Sequence, residues 1–413
     1  MSNVIKKNCC RVCYQNNLTK IISLGDQSYT GRFPKPSDND PPVEEISLVR
    51  CENCGLVQME YLYPPEEMYG QTYGYRSSIT KTMRDHLKSI SDLSLFWHKK
   101  KSLKNVLDIG SNDGTLLGFF KEKSLNIVGI DPCAGKHLNN YPKNATIIEN
   151  FFTKENVSRS FSGKFDVVTS ISMFYDLDEP VIFAEDIKSI LSHDGIWICE
   201  QSHSHSLIES NCYDSICHEH ATYLSLSTFE SICQKVGLKI LDIRTNNING
   251  GSFALVMCHE SSNYIEDKSN INKFKQKEKK LEINSKNTWT NFKYQVQKHK
   301  EDLIKIIKKL KKENKKVFGY GASTKGNVIL QYCEFGPEEI EYMLERDPLK
   351  YGLITPGSKI PIISEEEGRR MNPDVLIVFP WHFKEEIIKR ENDFLEKGGI
   401  LLFPLPEIEL ITK

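Results

Sequence analysis

The sequence has no excess charge of one sign: 54 lysines and arginines stand against 55 aspartates and glutamates in 413 residues, a formal net charge of −1. That balance removes the basic footprint a nucleic-acid-binding face usually needs, while small anionic ligands stay open. No run of about 18 consecutive apolar residues occurs, so no segment reads as a membrane span. Lys6 and Lys7 are not followed by an apolar stretch of signal-peptide length. Fixed-period repeats are missing, as are low-complexity tracts apart from one lysine-rich helical stretch. A disulfide framework is not indicated either, because the 12 cysteines are spread over a large chain and two pairs carry the C-x2-C spacing of metal sites. That usage points to a reducing, cytoplasmic setting.

What is present begins with those pairs. Cys10-x2-Cys13 and Cys51-x2-Cys54 offer four thiolates in two hairpin-like turns, and Gly55 after the second pair permits the tight turn that aims both sulfurs at one ion. The pattern predicts a closed, structural zinc site and leaves Cys9 spare. Around it, residues 1–72 are short apolar pieces broken by Pro34, Pro36, Pro41, Pro42, Pro64 and Pro65, which predicts a small irregular zinc-binding domain.

From Asn105 onward, apolar runs of strand length (VLDIG, IVGID, FDVVTSI, GIWICE) alternate with stretches long enough for helices, the pattern of a parallel α/β sheet. Strand-like residues 238–243 and 252–257 flank the turn-rich NNINGG segment and predict an antiparallel hairpin closing that sheet. This central Rossmann-like domain is expected over residues 73–260. Residues 261–316 are lysine-rich with Leu303, Ile306, Ile307 and Leu310 at helical spacing, so amphipathic linking helices with a solvated basic side are expected. KVFGYG, IEYML, VLIVF and ILLFP then predict a second Rossmann-like α/β domain over 317–413.

The segment from Asn105 to Gly114 reads as a buried strand, a glycine turn and a helix beginning near Thr115. Glycines there let backbone approach a ligand closely. The full G-x-G-x-x-G spacing is absent. The next strand ends in Asp131, whose carboxylate can accept both hydroxyls of a ribose, which suits an adenosyl group. These residues resemble the S-adenosylmethionine-dependent methyltransferases, whose first motif is similar to VLDIGSNDG and whose second strand ends like VGIDP. The resemblance implies that Asp108, Gly110, Ser111, Asn112, Gly114, Asp131, Pro132 and Ser172 surround the cofactor, with Asn150 and Phe151 on its adenine side.

The likeness extends further: CRVC, RCENCGLVQ, YRSSITKTMRDH, the HEH triplet, NGGSF and GYGASTKGN follow the order seen in sugar C-methyltransferases. That resemblance implies methylation of a nucleotide-linked, dTDP-type 4-keto-deoxysugar at the carbon beside the ketone. Such a carbon becomes nucleophilic only after losing a proton, so a base and a group that stabilises the enolate oxygen are required. The family pattern assigns the base to His220 of Cys217-His218-Glu219-His220, with Glu219 as a carboxylate able to fix an imidazole tautomer. Tyr73 or Tyr75 corresponds to a substrate-side tyrosine whose phenol can donate to the oxyanion. Two positions depart from the family: Cys217 stands where tyrosine is common and Tyr175 where histidine is common, which leaves a different proton path or substrate open. Tyr213 and Tyr223 are near enough in sequence to substitute.

In the C-terminal domain, Gly321 and Lys325 of GYGASTK are expected to hold phosphate. Asn249 of the NGGSF turn, Trp381 and His382 are expected at a nucleotide-sugar cleft between the two α/β domains. Competing readings remain: the pairs His203-x-His205 and His218-x-His220 could bind metal or be structural, the knuckle could read RNA for an RNA methyltransferase, or the chain could be a non-catalytic nucleotide-sugar binder. A monomer is expected, without nucleic-acid or membrane partners.

Overall fold

The computed structural model describes residues 4–69, 76–98, 103–122 and 124–413. Its N-terminal part contains strands β1 (Ile5–Lys6), β2 (Leu18–Ser28), β3 (Val43–Cys51), β4 (Val57–Met59) and β5 (Tyr61–Leu62), then a single helical turn, α1 (Pro65–Met68). The turn formers led to an expectation of irregular structure, but Pro34, Pro36, Pro41 and Pro42 all fall in the loop joining β2 to β3. The two strands themselves pair antiparallel from Leu18 opposite Cys51 to Ser28 opposite Val43. Pro65 opens α1, where its missing N–H costs nothing. A further strand, Thr222–Tyr223, joins this sheet beside β4 from far along the chain.

The central part contains α2 (Lys81–Trp97), β6 (Asn105–Ile109), β7 (Asn126–Ile130), β8 (Ala145–Ile148), α3 (Lys154–Ser160), β9 (Phe165–Ile171), α4 (Pro180–Ile190), β10 (Leu191–Ser202), α5 (Ser204–Glu209), β11 (the strand Thr222–Tyr223), α6 (Leu226–Val236), β12 (Leu238–Asn246) and β13 (Ser252–His259). Seven of the strands form one sheet in the order β12-β13-β10-β9-β6-β7-β8. The five strands from β10 to β8 run parallel. They are near-continuous apolar runs because both faces are covered. Alternate residues divide between the faces: Val106, Ile127, Val167 and Ile196 pack with Met83, Leu87 and Ile90 of α2. Leu107, Val128, Val168 and Trp197 pack with Phe183 and Ile187 of α4 and Phe229 and Ile232 of α6. The expected hairpin is β12–β13, with β13 antiparallel to β10 on its other side. One expectation fails: the glycine turn after β6 leads only to a 3-10 turn, Leu117–Phe119, not an α-helix. Length is not the reason, because the equally long connection from β8 to β9 holds α3.

The chain leaves β6 toward β7 and β8, then returns to build β9 and β10 on the opposite side. The strand order therefore reverses between β6 and β9, and the carboxyl ends of those two strands form the crevice where ligands bind in open α/β sheets.

The lysine-rich stretch forms α7 (Lys268–Leu281) and α8 (Lys286–Lys312). In α8 a three-four spaced stripe, Trp289, Phe292, Val296, His299, Leu303, Ile307 and Leu310, is buried while the lysines face water. Next come β14 (Val317–Tyr320), α9 (Thr324–Tyr332), β15 (Met343–Glu345), β16 (Ile362–Ser364), β17 (Val375–Val378), β18 (Ile400–Phe403) and β19 (Glu409–Ile411). They build a second sheet, β16-β15-β14-β17-β18-β19, parallel except for the last strand. One apolar core runs through the N-terminal sheet, α8 and this second sheet, and includes Tyr213 and Cys217 from the central part. Among the described residues, no helix is long and apolar enough to cross a membrane.

Candidate active site and metal centre

The four cysteines meet as their spacing requires. The sulfurs of Cys10, Cys13, Cys51 and Cys54 all lie within 4.8 Å of one another, with Cys10 to Cys54 at 3.5 Å and Cys13 to Cys51 at 3.4 Å. A zinc–thiolate bond of ~2.3 Å in tetrahedral geometry places its sulfurs ~3.8 Å apart, so this cluster fits a zinc ion. The two turns are alike. Tyr14 N–H donates to the Cys10 carbonyl and Gly55 N–H to the Cys51 carbonyl. Both residues have left-handed φ, 62° and 79°. Cys9 lies outside the cluster. Between the first two ligands, the fully buried Arg11 guanidinium donates to Asp178 Oδ1 at 2.9 Å and to the Met59 carbonyl at 2.6 Å. Lys7 Nζ reaches the other Asp178 oxygen at 2.8 Å. The knuckle is thereby fastened to the loop that follows β9.

At the reversal crevice, the turn after β6 puts Gly110 and Gly114 at φ 71° and 74°. A Cβ on Gly114 would come within 2.7 Å of the Tyr141 ring. Tyr141 in turn shares a hydrogen bond with Ser111 Oγ (2.9 Å) and donates to the Asn112 carbonyl (2.8 Å). Asp131, at the end of β7, accepts from the backbone N–H of Asn112 (3.0 Å) and of Cys133 (2.6 Å) across the half-buried Pro132. Asp108 is buried beneath the turn and accepts from Thr169 Oγ1 at 2.7 Å. Burial raises its carboxyl to about 7, with the Thr169 hydrogen bond opposing and the Asp131 charge adding to the shift. An open cleft of ≈ 390 Å³ is lined here by Ser77, Met83, Leu87, Asp108, Gly110, Ser111, Leu116, Ile171 and Ser172. Backbone close to the cleft with a strand-end carboxylate beside it suits an adenosyl group. Asn150 and Phe151, expected on the adenine side, follow β8 at the surface, Phe151 being 40% exposed, and are not among the residues lining the cleft.

Sequence reasoning missed the cover of this cleft. Ser77 N–H donates to Asn112 Oδ1 and Ser78 N–H to Asp113 Oδ2, each at 3.0 Å, so the segment before α2 lies across the glycine turn. The signal was the quoted YRSSITKTMRDH tract, whose role depends on contacts far along the chain. Tyr73 and Tyr75 lie outside the described residues.

A second, narrow cavity is lined by Tyr175, Ser202, His203, Cys212, Ser215, His220, Thr222, Tyr223, Asn249 and Gly250, among others. His220 Nδ1 lies 2.7 Å from the Ser215 carbonyl. A carbonyl only accepts, so Nδ1 carries the hydrogen and Nε2 keeps a lone pair. The Tyr175 ring rests on the imidazole, centroids 4.3 Å apart. Tyr223 Oη donates to the same Ser215 carbonyl at 3.1 Å, whereas Tyr213 pairs with His299 away from the cavity.

Side chains diverge within the His-Glu-His turn. His218 packs against Tyr29 and Tyr63, and buried Glu219 accepts from Thr30 Oγ1 at 3.4 Å. The expected role of Glu219 in fixing the imidazole thus falls to Ser215. Cys217 is in the shared core, where burial pushes its thiol well above the usual range. The other histidine pair is structural: His203 Nδ1 accepts from Ser206 N–H at the start of α5, and its ring stacks on Phe253.

From the second sheet, Lys325 Nζ donates to the Asn249 carbonyl at 2.6 Å. Trp381 Nε1 donates to Asp214 Oδ2 at 2.8 Å and its ring covers Gly250. His382 is held neutral, lowered to about 3 by burial and by the Lys325 cation. Gly321 has φ 85°. Its N–H is bonded to the Leu344 carbonyl and that of Ala322 to Glu345, so these two N–H groups are not free for phosphate.

Comparison with known proteins places these features in sequence. Three family models match in succession: "Putative zinc binding domain" over residues 10–69, "Methyltransferase domain" over 79–243 and "C-methyltransferase C-terminal domain" over 247–406. C-methyltransferase NovU of Streptomyces niveus is 26% identical, the alignment covering 98% of this chain and 96% of NovU. Among solved structures, an S-adenosylmethionine-dependent methyltransferase from Clostridium acetobutylicum ATCC 824 shows 12% identity, with 43% of this chain and 92% of that chain covered and a TM-score of 0.34. Magnesium protoporphyrin IX methyltransferase (ChlM) from Synechocystis PCC 6803 shows 14% identity, with 45% and 87% covered and a TM-score of 0.32.

Proposed function

Because the chain is an S-adenosylmethionine-dependent methyltransferase with the domain set of the C-methyltransferases, we propose that it methylates carbon on a nucleotide-linked 4-keto-deoxysugar, at the position beside the ketone. One observation carries this reading: His220 presents a lone-pair Nε2, with Nδ1 anchored on Ser215, in a cavity whose Asn249 wall touches the cofactor cleft through Ser172. Asn249 Nδ2 donates to Ser172 Oγ at 3.2 Å, so the two spaces share a partition. His220 takes the proton from the carbon and becomes imidazolium, and the electron pair is left as an enolate. Bound S-adenosylmethionine supplies an electrophilic methyl on a sulfonium, which that carbon takes with release of the neutral thioether. Lys325, beside Asn249, is the cation available for the sugar's diphosphate. The family departures leave the base in place, since Cys217 belongs to the core and Tyr175 packs on the imidazole.

The test is mass spectrometry of incubations with S-adenosylmethionine and a panel of nucleotide-linked sugars with and without a 4-keto group, in deuterated water. One methyl gained on the ring of keto-sugars only, with exchange of the neighbouring carbon-bound hydrogen, is expected. Transfer to an oxygen or nitrogen, or binding without transfer across the panel, would overturn the reading.

A pH dependence follows from the surroundings of His220. Burial lowers it to about 4, with the Lys325 cation adding and the Ser215 carbonyl opposing. The base is therefore neutral above that value, and the acid limb of kcat/KM should fall well below the ordinary histidine value of 6.5. Removing the nearby cation favours the protonated form, so Lys325→Met should move the limb to higher pH. The same depression makes the folded state lose stability as pH falls from 6.5 toward 4, because the unfolded imidazole binds the proton first. Circular dichroism at each pH separates that loss from the rate effect. A limb unmoved in Lys325→Met would refute the coupling.

A further inference from the structure

Ser77 and Ser78 lie on the glycine turn and lead into α2. Met83 and Leu87 of α2 line that cleft. His86, on the same side of the helix, brings Nε2 to 2.5 Å from Glu200 Oε1. Glu200 is completely buried near the carboxyl end of β10. Its other oxygen accepts from Asn246 Nδ2 at 2.9 Å, and its backbone carbonyl accepts from Ser172 N–H at 2.7 Å. Asn246 Oδ1 in turn accepts from Ile248 N–H at 2.9 Å, fixing the start of the turn that carries Asn249. Ser172 holds a left-handed φ of 55°.

The Glu200 carboxylate therefore joins the helix over the cofactor cleft to the end of β12 that opens the β12–β13 turn, while its backbone carbonyl holds Ser172 just after β9. Those pieces form the partition between the cofactor cleft and the His220 cavity, since Ser172 lines the first and Asn249 lines the second. A carboxylate without partners is costly to bury, and here its two oxygens meet one donor group from each side of the partition. Sheet packing alone would be served by an apolar residue.

We propose that His86 and Glu200 are positioning residues for methyl transfer, latching α2 onto the partition so that the cofactor is held in register with the His220 cavity. The inference rests on the use of S-adenosylmethionine and not on the identity of the sugar. His86 acts through Glu200 and α2 rather than by touching the reacting atoms.

The experiment is calorimetric titration of the full-length protein with S-adenosylhomocysteine, alongside its melting temperature. Alanine is the best helix former, so His86→Ala should leave α2 formed, while the buried Glu200 oxygen that loses its donor lowers the melting temperature modestly. It should weaken binding at least tenfold. His86→Gln, whose amide can donate to Glu200, should recover affinity to within about threefold of wild type, a rescue that simple packing loss would not give. Glu200→Gln serves as a second probe, because its amide oxygen can accept from Asn246 and its NH2 can donate to a ring nitrogen of His86; affinity within about threefold is expected. Binding in His86→Ala within twofold of wild type would overturn the proposal. So would equal weakening by alanine and glutamine at position 86, or a tenfold loss in Glu200→Gln.

Discussion

Replacing His220 with asparagine should lower kcat by roughly 10²- to 10⁴-fold, the range expected when a general base is removed, while leaving cofactor affinity within about threefold. The substitution isolates the chemistry well. An asparagine Nδ2 can still donate to the Ser215 carbonyl, which His220 Nδ1 meets at 2.7 Å, so the turn is retained. What disappears is the lone pair of Nε2. Tyr175, resting on the ring, and Tyr223, bonded to the same carbonyl, have phenols rather than a neutral nitrogen base to offer. Single-turnover methyl transfer, measured with hydrogen exchange at the acceptor carbon, checks both halves of the expectation. Loss of exchange together with loss of transfer makes His220 the base, whereas retained exchange with slowed transfer would assign it to positioning. A fall in kcat of less than tenfold would remove it from the proton step.

The second large effect concerns the metal. Cys51→Ser, or prolonged chelation, should cost about 5 kcal/mol, less than the 10–16 kcal/mol apparent for zinc in isolated finger peptides. The discount reflects a core that the N-terminal sheet already has in Ile46, Leu48, Val57 and Met59. A melting temperature lowered by roughly 6 °C follows for a chain of this size. Activity should fall too, for a specific reason. The knuckle holds the fully buried Arg11, whose guanidinium is bonded to Asp178, three residues beyond Tyr175. Loosening the knuckle leaves that cation poorly paired in the interior and releases the loop that supports the His220 ring. Metal analysis together with scanning calorimetry on the wild type and Cys51→Ser checks the expectation; zinc-free protein with an unchanged melting temperature would sink it.

Several parts of the site were legible because they depend on neighbours in the chain. Two C-x2-C turns, the second followed by Gly55, identify a four-thiolate cluster whatever surrounds them, whereas the left-handed φ of Tyr14 after the first was not legible. Asp108 and Asp131 could be placed at strand ends because each closes an apolar run, and the glycines between them had to turn the chain. Other assignments did not follow. The helix expected from Thr115 gave way to a 3-10 turn, Leu117–Phe119, although the equally long connection from β8 to β9 does form a helix. Glu219, adjacent to His220, points to Thr30 instead, since successive side chains in that turn diverge.

Local sequence thus set the order of the parts, the four-thiolate cluster and the strand ends that face the cofactor cleft, whereas His220 was singled out as base only by the family resemblance. The first three are matters of local spacing, hydrophobic period and residue chemistry. Tertiary structure alone decided that Ser215 fixes the imidazole, that β11 crosses to complete the N-terminal sheet, that Lys325 meets Asn249, and that Glu200 joins α2 to the partition. Each of those contacts brings a polar group to a partner supplied by the packing of apolar strands and helices. Burial then imposes the pairing, because a polar group left without a partner in the interior is expensive, and no local pattern encodes which distant partner arrives.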